Sequence, residues 1–178
     1  MSDKLWFITG GSSGFGAAIT DEALENGDRV VATFRSDEEV KNFNNSHDPD
    51  RAMAVKLDVT NEDQIQIGVQ SALETFGQID ILVNNAGYGV FGTIEECDKA
   101  EIRKQFDTNL FGLANMTRAV LPSMRRHKSG HIINISSAAG LMGKAGAGFY
   151  CASKFAVEGL TESLREEVEP FNIKVTAI

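Results

Sequence analysis

Tyr150 and Lys154 stand four positions apart in Tyr-Cys-Ala-Ser-Lys, which puts both on one face of a helix. A free phenol titrates near 10 and is a poor acid or base at neutral pH. A neighbouring ammonium favours the phenolate, so such a pair could move protons under physiological conditions. The spacing alone fits an amphipathic helix surface just as well. Ile135-Ser136-Ser137 and Asn84-Asn85-Ala86-Gly87 add hydroxyls and amides directly after apolar runs. Asn109 lies among Phe106, Leu110 and Leu113, where a buried amide needs partners. Plainer roles stay open for each: turn caps for the two serines, a tie between strands for Asn84, a solvent-facing position for Asn109.

Near the other end of the chain, Thr9-Gly10-Gly11-Ser12-Ser13-Gly14-Phe15-Gly16 separates a short apolar run from a helical pattern. Gly10 permits a tight turn, Gly14 lets backbone N–H groups approach a pyrophosphate, and Gly16 lets a helix pack close to a sheet. The spacing is GxxxGxG, not the GxGxxG fingerprint, and by itself it says only that a nucleotide binds. Its identity turns on the end of the second strand, where an acidic residue would hold ribose hydroxyls and an arginine would suit a 2′-phosphate. Val-Val-Ala-Thr-Phe ends there on Arg35, with no carboxylate, which favours NADP(H) and leaves NAD(H) as the lesser option.

The elements that must position these residues alternate from end to end. Strands are expected at 4–9, 29–34, 52–57, 79–83, 131–136 and 173–178. A helix after the first turn runs through Ala18, Ile19, Ala23 and Leu24 to Gly27. Residues 42–50 read as loop. Thr60 and Asp63 have capping-box spacing ahead of Ile65, Val69, Ala72, Leu73 and Phe76, and Gly77 ends that helix. One long helix follows through Ile102, Phe106, Leu110, Leu113, Thr117 and Val120, with a kink expected at Pro122. A last helix spans 150–168. Strand–helix alternation with right-handed crossovers implies a doubly wound parallel α/β sheet with helices on both faces.

At 178 residues the chain suits one domain, 1–178, with 42% hydrophobic and 24% charged residues. A formal charge of −8 and a pI near 4.9 argue against nucleic-acid and anionic-membrane partners. No run is apolar enough for a signal peptide or a membrane span. Cys97 and Cys151 lack paired spacing, which suits a reducing, cytoplasmic setting. His47, His127 and His131 are too scattered for a metal site. No GxSxG motif suggests a hydrolase, and Cys151 reads as core filler.

Taken in order, the phosphate-binding turn, Asp58-Val59, Asn84-Asn-Ala-Gly87, Asn109, Ile135-Ser-Ser137 and Tyr150-x-x-x-Lys154 resemble the short-chain dehydrogenase/reductase family across the whole chain. The resemblance implies a Rossmann-like sheet of order 3-2-1-4-5-6. It makes Tyr150 the general acid/base, and Ser137, thirteen residues earlier, the hydrogen-bond donor to the substrate oxygen. Lys154 would support the phenolate and bind the nicotinamide ribose, and Asn109 would hold a relay water. Gly10, Ser12, Ser13, Gly14, Phe15, Gly16, Arg35, Asp58, Val59, Asn84, Ala86 and Gly87 would surround the cofactor. The implied reaction is hydride exchange between NADP(H) and a secondary alcohol or ketone, in a homodimer or homotetramer built through the two long helices.

Family members continue beyond the sixth strand into a substrate-binding segment and a seventh strand. A chain ending at Ile178 is therefore expected to lack that strand and one substrate wall, and to expose an edge that self-associates. The substrate stays open, with Tyr88, Phe91, Met142 and Phe149 marking only an apolar pocket. The competing expectation is a non-catalytic NADP(H)-binding sensor or interaction module that keeps the fold without turnover.

Overall fold

A strand covered on both faces must be apolar at successive positions, because neighbouring side chains point to opposite sides. Leu5 and Phe7 of the first strand accordingly join one hydrophobic cluster and Ile8 the other, all fully buried. The computed structural model describes residues 3–178. Its strands are β1 (Leu5–Ile8), β2 (Arg29–Phe34), β3 (Ala52–Lys56), β4 (Ile81–Asn84), β5 (Gly130–Asn134) and β6 (Ile173–Ala177). All pair in parallel, in the order β3-β2-β1-β4-β5-β6, with Ile8 of β1 opposite Ala32 on one side and Val83 on the other.

The helices are α1 (Gly14–Glu25), α2 (Asp37–Ser46), α3 (Glu62–Phe76), α4 (Lys99–Phe106), α5 (Leu113–His127) and α6 (Gly148–Val168). Ile19, Ala23 and Leu24 of α1, with Val40 and Phe43 of α2, cover one face. Ile65 and Val69 of α3, Met116, Val120 and Met124 of α5, and Leu164 and Val168 of α6 cover the other. Among the described residues no helix is long and apolar enough to cross a membrane.

Three local expectations need correction. The first half of the expected 42–50 loop belongs to α2. Ser36 caps that helix by accepting from Glu38 N–H, and Asp37, Glu38 and Glu39 complement its dipole. Only Val40 and Phe43 pack inward, too few to leave a periodic signal. The cap of α3 is Asn61, whose Oδ1 accepts from Gln64 N–H at 3.0 Å, while Thr60 turns back to the Asp58 carboxylate. The expected single long helix is α4 and α5 joined by a π-helical turn, Asp107–Gly112, and Pro122 is carried inside α5. That turn brings Gly112 against Val59; an added Cβ at 112 would lie 2.6 Å from Val59 Cγ2.

β4 and β5 end at Asn84 and Asn134, so residues 85–87 and 135–137 sit just beyond the carboxyl edge of the sheet. Beneath that edge runs a buried polar chain. Asn84 Nδ2 donates to Thr117 Oγ1 and Asn134 Oδ1, and Asn134 Nδ2 donates to Thr161 Oγ1. It binds β4 and β5 to α5 and α6 directly under residues 85–87 and 135–137.

Candidate active site

The turn after β1 is tied to β2 by its first N–H groups: Gly10, at φ +70°, donates to Thr33 Oγ1 at 3.1 Å, and Gly11 donates to the Thr33 carbonyl at 2.9 Å. A Cβ at Gly16 would lie 2.0 Å from the Gly10 carbonyl oxygen, so α1 can approach the turn only with glycine there. α2, α3 and α4 each have a side-chain cap and acidic residues in the first turn. Ser13 at the head of α1 makes no such cap, and its first turn carries no acid, a state it shares with α5 and α6. What sets α1 apart is that its N-terminus follows the glycine turn on the cleft, where free N–H groups and the helix dipole favour an anion.

That turn opens into a cleft of about 1440 Å³ along the carboxyl edge. This exceeds the roughly 300–1,000 Å³ of a typical small-molecule pocket and suits a dinucleotide. Gly10, Ser12, Ser13, Gly14, Phe15, Arg35, Asp58, Val59, Ala86 and Gly87 line it, as the sequence leads one to expect. Ser137, Tyr150 and Lys154 line it too. Gly16 lies beneath the turn, not on the cleft.

Lys154 is buried, and its Nζ donates to the Ile135 carbonyl at 2.7 Å and lies 5.9 Å from the centre of the Tyr150 ring. Burial pushes its pKa below the usual lysine value, and Glu158, one turn on, partly offsets this. The two serines part ways. Ser136 is buried with its hydroxyl unpartnered and packed at Gly140, where an added Cβ would stand 2.9 Å from Oγ. Ser137 is half-buried, and its Oγ accepts from Ala139 N–H at 3.2 Å, which leaves its own hydrogen available.

Two expected residues stand back from the cleft. Asn84 is committed to the polar chain under the edge. Asn109 is also buried: its Oδ1 accepts from Tyr88 N–H at 3.0 Å, and its Nδ2 donates to the Tyr88 carbonyl and to Ser153 Oγ. Met142 and Phe149, expected at an apolar pocket, are not in the cleft lining, whereas Tyr88 and Phe91 are. Asn85, not among the residues expected to line the cofactor, does line the cleft, and its Nδ2 holds the Thr9 and Gly10 carbonyls at 2.9 and 3.1 Å. The pair of amides after an apolar strand was its signal; which of the two faced the turn was not. Ser36, Glu39 and Thr108 also line the cleft, without any sequence signal.

The short chain dehydrogenase family profile matches residues 4–178, and the chain belongs to that family. It is 42% identical, over its full length, to a 3-ketodihydrosphingosine reductase of Bacteroides thetaiotaomicron, and spans 63% of that protein. The first curated relatives it matches are all longer, the chain spanning 63–64% of their lengths. A short-chain dehydrogenase from Streptomyces avermitilis superimposes with a TM-score of 0.93 at 44% identity, covering 99% of this chain and 65% of that one. A metagenomic short-chain oxidoreductase solved in complex with NADP gives 0.89 at 34% identity, covering 99% and 81%.

Proposed function

We propose that the whole protein is an NADP(H)-dependent oxidoreductase acting on a secondary alcohol or ketone. The observation that carries this reading is the convergence of the uncapped α1 terminus, Arg35, Ser137, Tyr150 and Lys154 on one cleft. The named activity of the Bacteroides relative, a keto reductase, and the NADP in the metagenomic structure support it.

The α1 turn with Ser12, Ser13 and Gly14 would hold the pyrophosphate, Asp58, Val59, Ala86 and Gly87 would flank the nucleoside portions, and Arg35 would take the 2′-phosphate. The nicotinamide, when bound, supplies or accepts the hydride. Tyr150 gives its phenolic proton to the carbonyl oxygen in reduction and takes it back in oxidation. The Ser137 hydroxyl, its oxygen fixed by Ala139 N–H, donates to the same carbonyl oxygen. Lys154, anchored on the Ile135 carbonyl, stands beside the Tyr150 ring and would hold the nicotinamide ribose. The Asn109 side chain ties down Tyr88, and the relay water implied by the family resemblance stays part of this proposal for Asn109.

Incubated with a panel of ketones, the whole protein should oxidise NADPH and use NADH less well. Arg35→Asp should reverse that preference, since one charge-assisted phosphate contact is worth about 1.5–3 kcal/mol. Equal use of both cofactors before and after the change would defeat the NADP(H) assignment. Tight NADPH binding without turnover on any carbonyl would favour a cofactor-sensing module instead.

A further inference from the structure

α4 is a charged helix, Lys-Ala-Glu-Ile-Arg-Lys-Gln-Phe, and its one buried residue is Gln105, which is fully enclosed. A helix that buries its glutamine and no aliphatic side chain gains from hydrogen bonding at that point. Gln105 Oε1 accepts from Val90 N–H, while Nε2 has no protein partner. One turn on, Asn109 holds both the N–H and the carbonyl of Tyr88. Two side-chain amides thus grip alternate residues of the segment that follows β4, much as a neighbouring strand would. Beyond them, Gly92 N–H donates to the Gly146 carbonyl at 2.8 Å and ties the segment to the loop after β5.

Between these ties Phe91 folds against Tyr150, with ring centroids 5.7 Å apart and planes inclined at 49°. Gly89 makes room for this: a Cβ there would lie 2.6 Å from Phe91 Cζ and 3.3 Å from Tyr150 Cδ2. Phe91 is still 69% exposed, so one face covers Tyr150 and the rest fronts the cleft. Among the described lining residues, Lys154 is the one charged side chain beside Tyr150. Arg35, Glu39 and Asp58 follow β2 and β3, across the sheet from β4, β5 and α6.

We propose that Gln105 is a positioning residue: by holding Val90 it sets Phe91 against Tyr150 as the wall on which the organic part of a neutral, apolar carbonyl substrate rests. This rests on the oxidoreductase reading above, which says why a wall beside Tyr150 matters. The position of Phe91 is itself independent of that reading.

The test uses Gln105→Met and Gln105→Glu in the whole protein. Met keeps the length and removes the acceptor. In its crystal structure residues 88–91 should shift and Phe91 should leave Tyr150. KM for a bulky aryl or alkyl ketone should rise about tenfold to a hundredfold, the scale on which an apolar pocket registers one group gained or lost. kcat on a small ketone should stay within about twofold, since only substrate binding is lost, and NADPH affinity should hold. Gln105→Glu should restore both readouts, because a buried carboxyl without a cation keeps its proton and its carbonyl oxygen still accepts from Val90. Phe91 unmoved in the Met variant, or equal losses on bulky and small ketones, would overturn the proposal. If the whole protein reduces no ketone, the oxidoreductase reading falls, and the two crystal structures still decide whether Gln105 sets Phe91.

Discussion

Lys154 is asked to remain charged in a place that disfavours charge. Burial lowers its pKa, Glu158 works against that shift, and its anchor is a neutral carbonyl. A lowered pKa means the ammonium is lost at a lower pH than an exposed lysine would require. NADPH affinity and turnover should therefore fall together on the alkaline side, beginning below the reference lysine value of about 10.4. Glu158→Gln removes the opposing charge and should move that limb to still lower pH. Fluorescence titration of NADPH across pH 7–11, flat in the unmodified protein, would refute this account of Lys154. The two serines make a related point. The family resemblance favours Ser137; both serines line the cleft, and the Ser136 hydroxyl is buried at Gly140 without a partner, which supports the proposal that Ser137 meets the substrate.

Among the elements, the β5–β6 pair carries the other group whose titration matters. His131 on β5 bonds through Nε2 to Thr176 Oγ1 on β6, and burial, then Lys174 and Lys4, lower its pKa. The unfolded chain binds this proton from about pH 6.5 downward, before the folded one does. Stability is complete above that value and is lost as pH falls from there through the lower folded value. Denaturant midpoints at pH 8 and pH 5.5 should differ more in the unmodified protein than in His131→Gln; an identical difference in both would exclude His131 as the cause. Elements with strong periodicity were legible in the sequence: all six strands and the sheet class follow from apolar runs and alternation. α2 was not, because two inward side chains leave no pattern. The π turn was not either, because backbone hydrogen-bond register has no composition. At the site, residue types at the strand ends were legible, but which neighbour of a pair faces the cleft depends on where the strand stops. That is why Asn84 was expected to line the cofactor and Asn85 was not.

For the molecule as a whole, the interior is a sheet covered on both faces, and the outside keeps large apolar side chains on the long helices. Phe111 in the π turn and Phe155 on α6 are 55% and 47% exposed. Helix α6 and the α4–α5 run are the surfaces through which we expect copies to associate, burying on the order of 800 Å² on each partner if the dimer is stable. Light scattering should report a dimer or tetramer at micromolar concentration, and Phe111→Lys with Phe155→Glu should shift it toward monomer. A monomer before any substitution would contradict this.

The central claim is that Tyr150 is the proton-transfer group of a carbonyl-reducing cleft. Tyr150→Phe removes one hydroxyl and leaves the ring against Phe91, so NADPH affinity and thermal stability should be preserved. Turnover on a ketone that the unmodified whole protein reduces should fall by about 10²–10⁴, the contribution of a positioned acid or base. Near-normal turnover in Tyr150→Phe, with NADPH bound as tightly as before, would contradict the account and return Tyr150 and Lys154 to the surface of a helix.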